Sequence, residues 1–215
     1  MMSQHSPEAL LFIATGCQHC PSVLQSLGEL VKTGALSKLE VINIQQNPLP
    51  ATELNVRSVP WVRIGPFELT GLRTKKEFEQ WIQRADDPSA MGNYFGELML
   101  NGEIHKVHDI IQDKPEYFPL LFDLMADPDT SLSVRIGIGA VVEDFAGSEL
   151  LIQSIEQLGE YTKHPDNHVR TDACHYLGLS RNKNAINYIQ PLLNDDNEET
   201  REVAAEALEE INEAS

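Results

Sequence analysis

Two cysteines separated by two residues, Cys17 and Cys20, are the side chains best placed for chemistry in this chain of 215 residues. They stand in Thr15-Gly16-Cys17-Gln18-His19-Cys20-Pro21, after a short apolar run (Leu10–Ala14) and before a helical pattern. A thiolate at the start of a helix lies near backbone N–H groups that have no partner. Their partial positive charge lowers its pKa and makes it the attacking species. Two intervening residues bring the second sulfur within disulfide reach of the first. Cys17 is therefore expected as the exposed nucleophile, and Cys20 as the more buried thiol that resolves a mixed disulfide. The same spacing also makes half of a zinc site. The candidates to complete one are His5 and His19, and neither belongs to a second paired motif.

The elements around the pair alternate. After the strand-like run, Val23, Leu24, Leu27, Leu30 and Val31 recur at helical spacing, with Gly34 as a C-cap. Leu39–Ile44 reads as a second strand and Ala51–Leu54 as a short helix. Val59–Ile64 and Phe67–Thr70 read as two more strands joined by a Gly65-Pro66 turn. Thr74–Arg84 closes the unit as a helix with Phe78, Trp81 and Ile82 on its apolar face. This order predicts an α/β domain with a mixed sheet and flanking helices.

A second signal sits in Arg57-Ser58-Val59-Pro60-Trp61, where a proline begins a strand-like run 43 positions after Cys17. With the Cys pair and the element order, residues 8–85 resemble the thioredoxin superfamily, in its small glutaredoxin-sized form. The resemblance implies that Pro60 is cis and faces the thiols, and that the backbone of Val59 pairs with an extended substrate segment. It also implies that Gly71 allows a close backbone approach after the last strand. Trp61 either lines a substrate groove beside Pro60 or packs in the core. There are departures from the family pattern. Gly16 replaces the usual Trp, Gln18-His19 replaces Gly-Pro, and Leu11 occupies the place of a buried Asp. His19 before the resolving cysteine is similar to the dipeptide of protein disulfide isomerase. An imidazole there favours the Cys17 thiolate, and so a more oxidising pair. The Gly-Gly pair with which glutaredoxins hold glutathione is not found.

Asp86–Gly92 is polar and contains Pro and Gly, so domains are placed at 1–86 and 94–215 with a linker at 87–93. Beyond it every segment reads as an amphipathic helix. A pattern repeats as Asp129…Val134-Arg135…Gly139, then Asp166…Val169-Arg170…Ala173, then Asp196…Thr200-Arg201…Ala204. The apolar helices Pro119–Met125, Leu151–Tyr161 and Ile186–Leu193 precede the three turns. Residues 115–212 resemble HEAT repeats, an all-α solenoid of helical hairpins, with Met91–Gln112 as a degenerate capping hairpin. The resemblance implies Arg–Asp ties between neighbouring turns, close packing at the small residues, and a protein-binding role. Cys174, beside Ala173, reads as a packed core thiol. His105, His108, His164, His168 and His175 read as structural or solvated groups. Tyr94 and Phe95 either belong to the first hairpin or face the redox domain.

The charge is unevenly placed. Residues 1–90 carry 8 Lys/Arg and 9 Asp/Glu, and residues 91–215 carry 8 and 24. An acidic second half repels nucleic acid and anionic membrane; it either attracts basic protein surfaces or simply keeps the acidic helices solvated. No apolar run reaches a membrane span, and Ala9–Ala14 lacks the basic flank of a signal peptide, so a cytoplasmic location is expected. Three cysteines without an export signal do not make a disulfide framework. The reading is a thiol–disulfide oxidoreductase. It acts on protein disulfides or dithiols and needs no metal or organic cofactor, and its helical domain recruits a protein partner. The alternative is an adaptor in which the Cys pair is a switch.

Overall fold

The apolar run that precedes the cysteines becomes the centre of a sheet. β1 (Glu8–Ile13) pairs in parallel with β2 (Lys38–Asn43) and antiparallel with β3 (Trp61–Ile64), which pairs antiparallel with β4 (Phe67–Thr70). The order is β2-β1-β3-β4. A parallel return from β1 to β2 needs a crossover, and α1 (Cys20–Lys32) supplies it. The computed structural model describes residues 6–214. The chain falls into two units, one ending at Ala90 and the other beginning at Met91.

Both faces of the sheet are covered. On one face Phe12 stacks on its register partner Trp61, ring centroids 4.9 Å apart, with Ala51 of α2 (Leu49–Glu53) against them. On the other, Phe67 meets Trp81 of α3 (Lys75–Arg84) at 4.7 Å. Local signals set the helix ends. Pro21 fits the first turn of α1, where its missing N–H has no partner to lose. Thr74 caps α3 in a capping box. Its N–H donates to Glu77 Oε2 at 2.7 Å, and Glu77 N–H donates back to Thr74 Oγ1 at 3.3 Å. β3 starts at Trp61 rather than at Val59, because Pro60 has no N–H to give to a ladder.

The second unit is helical. α4 (Ala90–Leu100) and α5 (Ile104–Asp113) come first, and α4 begins inside the segment read as a linker. α6 (Leu120–Ala126) and α7 (Leu132–Asp144) follow, then α8 (Glu149–Gln153), α9 (Ile155–Tyr161), α10 (Asn167–Leu179), α11 (Ile186–Ile189) and α12 (Glu198–Glu213). Two helices expected as continuous are broken. Leu151–Tyr161 is interrupted at Ser154, whose buried hydroxyl donates to the Leu150 carbonyl at 3.1 Å. Ile186–Leu193 tightens into a 3₁₀ turn from Gln190, where Pro191 removes a helical donor.

The expected Arg–Asp ties are realised in part. Arg170 donates through Nε and Nη2 to both oxygens of Asp195, at 2.8 and 2.7 Å, and through Nη2 to Asp196 at 2.7 Å. Its Nη1 holds the His164 and Pro165 carbonyls. Arg135 bonds Asp172, inside α10, rather than an Asp of the turn. Asp166 is instead the N-cap of α10, accepting from His168 N–H at 2.9 Å. Arg201 reaches the carbonyls of Asp195 and Asp196. Ala173 and Ala204 are fully buried. The close approaches, however, are at Gly159, where an added Cβ would run into the Tyr188 ring, and at Gly178, where it would lie 2.8 Å from the Ala207 Cβ. At Gly139 it would make ordinary contact with the Tyr176 hydroxyl.

The Arg170–Asp195 pair has a measurable acid signature. Its hydrogen bond from Arg170, working against burial, holds the Asp195 carboxyl down from 3.8 to about 2. A carboxylate whose pKa is depressed by folding stabilises the fold fully above its unfolded pKa and loses that contribution as pH falls through its folded pKa. Urea unfolding should therefore show up to about 2 kcal/mol of stability disappearing between roughly pH 4 and pH 2. Asp195→Asn should be less stable at neutral pH and should lack that part of the slope. Identical acid slopes in the two proteins would refute the assignment.

Candidate active site at the Cys17–Cys20 turn

The loop leaving β1 is fixed before it reaches the cysteines. Cys17 N–H donates to the Ala14 carbonyl at 3.2 Å. Two side chains from the end of β2 and just beyond it brace the same loop. Asn43 Nδ2 donates to Thr15 Oγ1 at 3.2 Å, and Thr15 N–H donates to Gln45 Oε1 at 3.2 Å. Sequence reasoning passed over both. Their signal was a polar Asn43-Ile44-Gln45-Gln46 segment just where an apolar strand ends.

Cys17 and Cys20 are joined in a disulfide, with Cα atoms 5.5 Å apart. α1 begins at Cys20, so Cys17 lies just outside the helix, facing its N-terminus. Cys20 N–H points at Cys17 Sγ, 3.1 Å away. Cys17 is half-buried, while Cys20 is only 4% exposed. In the reduced protein the same N–H and the open helix end are placed to stabilise a Cys17 thiolate. Gln18 and His19 are exposed. His19 is the N-cap by backbone, its carbonyl accepting from Val23 N–H at 3.3 Å, and its imidazole makes no cap bond. Leu11 is fully buried in the sheet, so the position expected to lack a proton acceptor is apolar core.

The chain segment before β3 faces the disulfide. Cys17 Sγ lies 3.8 Å from the Val59 carbonyl oxygen. The Val59–Pro60 peptide bond is cis, and Pro60 is buried. Gly71 N–H donates to the Pro60 carbonyl at 2.9 Å, tying the end of β4 to this turn. Val59 packs its side chain on the Phe12–Trp61 cluster. Among the described residues its N–H and C=O have no backbone partner.

One expectation needs correction. Trp61 is 2% exposed and stacked on Phe12, so it offers no surface to a substrate; it anchors the strand that carries Pro60. Gly71 has φ +88°, a backbone conformation that favours glycine, and within this chain an added Cβ would meet nothing within 4 Å.

The other candidates fall elsewhere. Cys174 is buried in α10, and burial pushes its thiol up to about 12, so it is not a thiolate near neutrality. Tyr94 and Phe95 are buried side chains of α4. His108 lies against the Phe145 ring, and His164 Nδ1 accepts from Asp166 N–H. His168 and His175 are exposed on α10. Among the described residues no three His, Cys, Asp or Glu gather as a metal site. His5 lies outside them.

Two family models match the chain. The thioredoxin domain matches residues 10–83, which contain the disulfide, Pro60 and Gly71. HEAT repeats match residues 118–209, from α6 into α12. No curated protein matches the chain. No described helix is long and apolar enough to cross a membrane. By sequence match and by fold alike, the chain is a thioredoxin-type domain followed by HEAT repeats.

Proposed function

We propose that the chain is a thiol–disulfide oxidoreductase acting on protein disulfides or dithiols in the cytoplasm, and that its HEAT repeats recruit the protein partner. The observation that carries this reading is the half-buried Cys17 sulfur beside a Val59 backbone that has no backbone partner among the described residues, with Cys20 buried. In the reducing direction the Cys17 thiolate attacks one sulfur of a substrate disulfide, and the other sulfur leaves as a thiolate. Cys20, deprotonated, then attacks Cys17 Sγ. The Cys17–Cys20 bond forms, the mixed disulfide breaks, and the second substrate sulfur leaves. Two electrons pass from the pair to the substrate. The reverse sequence oxidises a substrate dithiol. Val59 N–H and C=O hold the substrate segment in a short ladder, as an added strand would be held. Pro60 keeps that ladder at the sulfur. Gln18 and His19 flank the approach, and His19 favours the reduced pair. No metal or organic cofactor takes part.

The test is turnover. With dithiothreitol as electron donor, the protein should speed insulin disulfide reduction catalytically, many turnovers per molecule. A pair that oxidises once and then stops would remove the enzymatic reading and leave a redox switch in its place.

A further inference from the structure

The two most exposed large apolar side chains among the described residues are neighbours. Leu132 is 74% and Ile136 is 64% exposed, one helical turn apart on α7. They line an open groove of about 770 Å³ together with His168, Asp172, His175 and Tyr176 of α10 and Glu199 at the start of α12. The remaining lining mixes Gly139, Ala140 and the Tyr176 ring with polar and charged groups. Arg135 is the groove's one guanidinium, and Asp172 neutralises it at 2.7 Å. That leaves Glu143 and Glu199 in the lining, with His175 3.9 Å from Glu143. Glu202 and Glu206 follow Glu199 at i+3 and i+7 on α12, both exposed. The surface thus runs from an apolar ridge on α7 to an acidic one on α12, within a unit that carries 8 Lys/Arg against 24 Asp/Glu.

Two exposed branched side chains beside uncompensated carboxylates define the occupant by complementarity. Anionic ligands such as nucleic acid are repelled. A strand has no sheet edge to join here, because the walls are helices whose backbone groups are already used. Ridges at four-residue spacing accept the ridges of another helix. We propose that the α7–α10–α12 groove binds a cationic amphipathic helix of the protein partner. The apolar face of that helix rests on Leu132 and Ile136, and its Lys or Arg side chains face Glu143, Glu199 and Glu202. This rests on the reading that the HEAT repeats recruit a protein, and it names the chemistry of the recruited segment.

The experiment uses the full chain and a fluorescein-labelled synthetic helix of Lys and Leu, with Leu at i, i+3 and i+4. A scrambled peptide of the same composition is the control. Fluorescence anisotropy should show binding that weakens roughly tenfold or more in Leu132→Ser/Ile136→Ser, and by a similar factor in Glu143→Gln/Glu199→Gln/Glu202→Gln. The carboxamide variant should also lose most of its salt dependence. Glu116→Gln/Glu156→Gln, outside the groove, should bind as the native chain does. Equal binding of the scrambled peptide, or no effect of the Leu132/Ile136 change, would overturn the proposal. Reduction of Ellman's reagent by the dithiol form separates the two readings. The groove variants should all retain it, and its absence in the native chain would count against the redox reading alone.

Discussion

Cys20→Ser, reduced and mixed with insulin, should accumulate as a covalent adduct through Cys17, visible as a shifted band on non-reducing electrophoresis. Cys17→Ser should form no such adduct, and its insulin turnover should fall by on the order of 10³-fold or more. The asymmetry follows from the turn itself. Cys17 is the sulfur that solvent reaches, and it is the one on which the Cys20 N–H is aimed. Cys20 is buried in the first turn of α1, where a protein disulfide cannot approach it. Its role requires reach to Cys17 alone, and the Cα separation of 5.5 Å gives that. A serine hydroxyl at position 20 cannot displace the substrate, so the mixed disulfide persists. Equal adduct formation by both variants would mean that the nucleophile is misassigned.

Arg170→Ala should be among the most destabilising single changes in the helical unit, costing about 3–5 kcal/mol. Arg170 and Asp195 side chains are 12% and 8% exposed. Removing the guanidinium leaves a carboxylate in a site that water barely enters. It also strips the His164 and Pro165 carbonyls of their donor. Urea unfolding of Arg170→Ala, Asp195→Asn and the double variant should show a coupling of about 1–3 kcal/mol, since the second change has little left to break. Simple additivity would mean that the two side chains contribute independently, contrary to the bidentate geometry.

The cysteine turn was legible in the sequence because its parts carry local signals. The apolar run before Cys17 reads as a covered strand, and Pro21 suits a helix start. The strand read from Val59 begins at Trp61 instead, because Pro60 has no N–H to give. What escaped the sequence depends on pairing across the sheet or between helices. Trp61 could face a groove or the core, and β3 is covered on both faces, so its own alternation does not decide. The register that sets it opposite Phe12 does. The Asp-turn pattern suggested one partner for every Arg of the repeats. Arg135 instead takes Asp172, a helix-internal residue that no turn motif singles out. The break at Ser154 is silent in hydrophobic spacing, because Leu151, Ile155 and Leu158 keep their period through it and all three stay buried.

In the proposed exchange a single ionised sulfur, at position 17, makes the first attack. Alkylation of the fully reduced chain by iodoacetamide, followed across pH with the modified residue identified by mass spectrometry, tests this most directly. Modification is expected at Cys17 alone, with a rate that reaches its half-maximum well below the pH at which an ordinary cysteine does. Modification of Cys20 first, or a Cys17 profile no different from that of an ordinary exposed thiol, would contradict it.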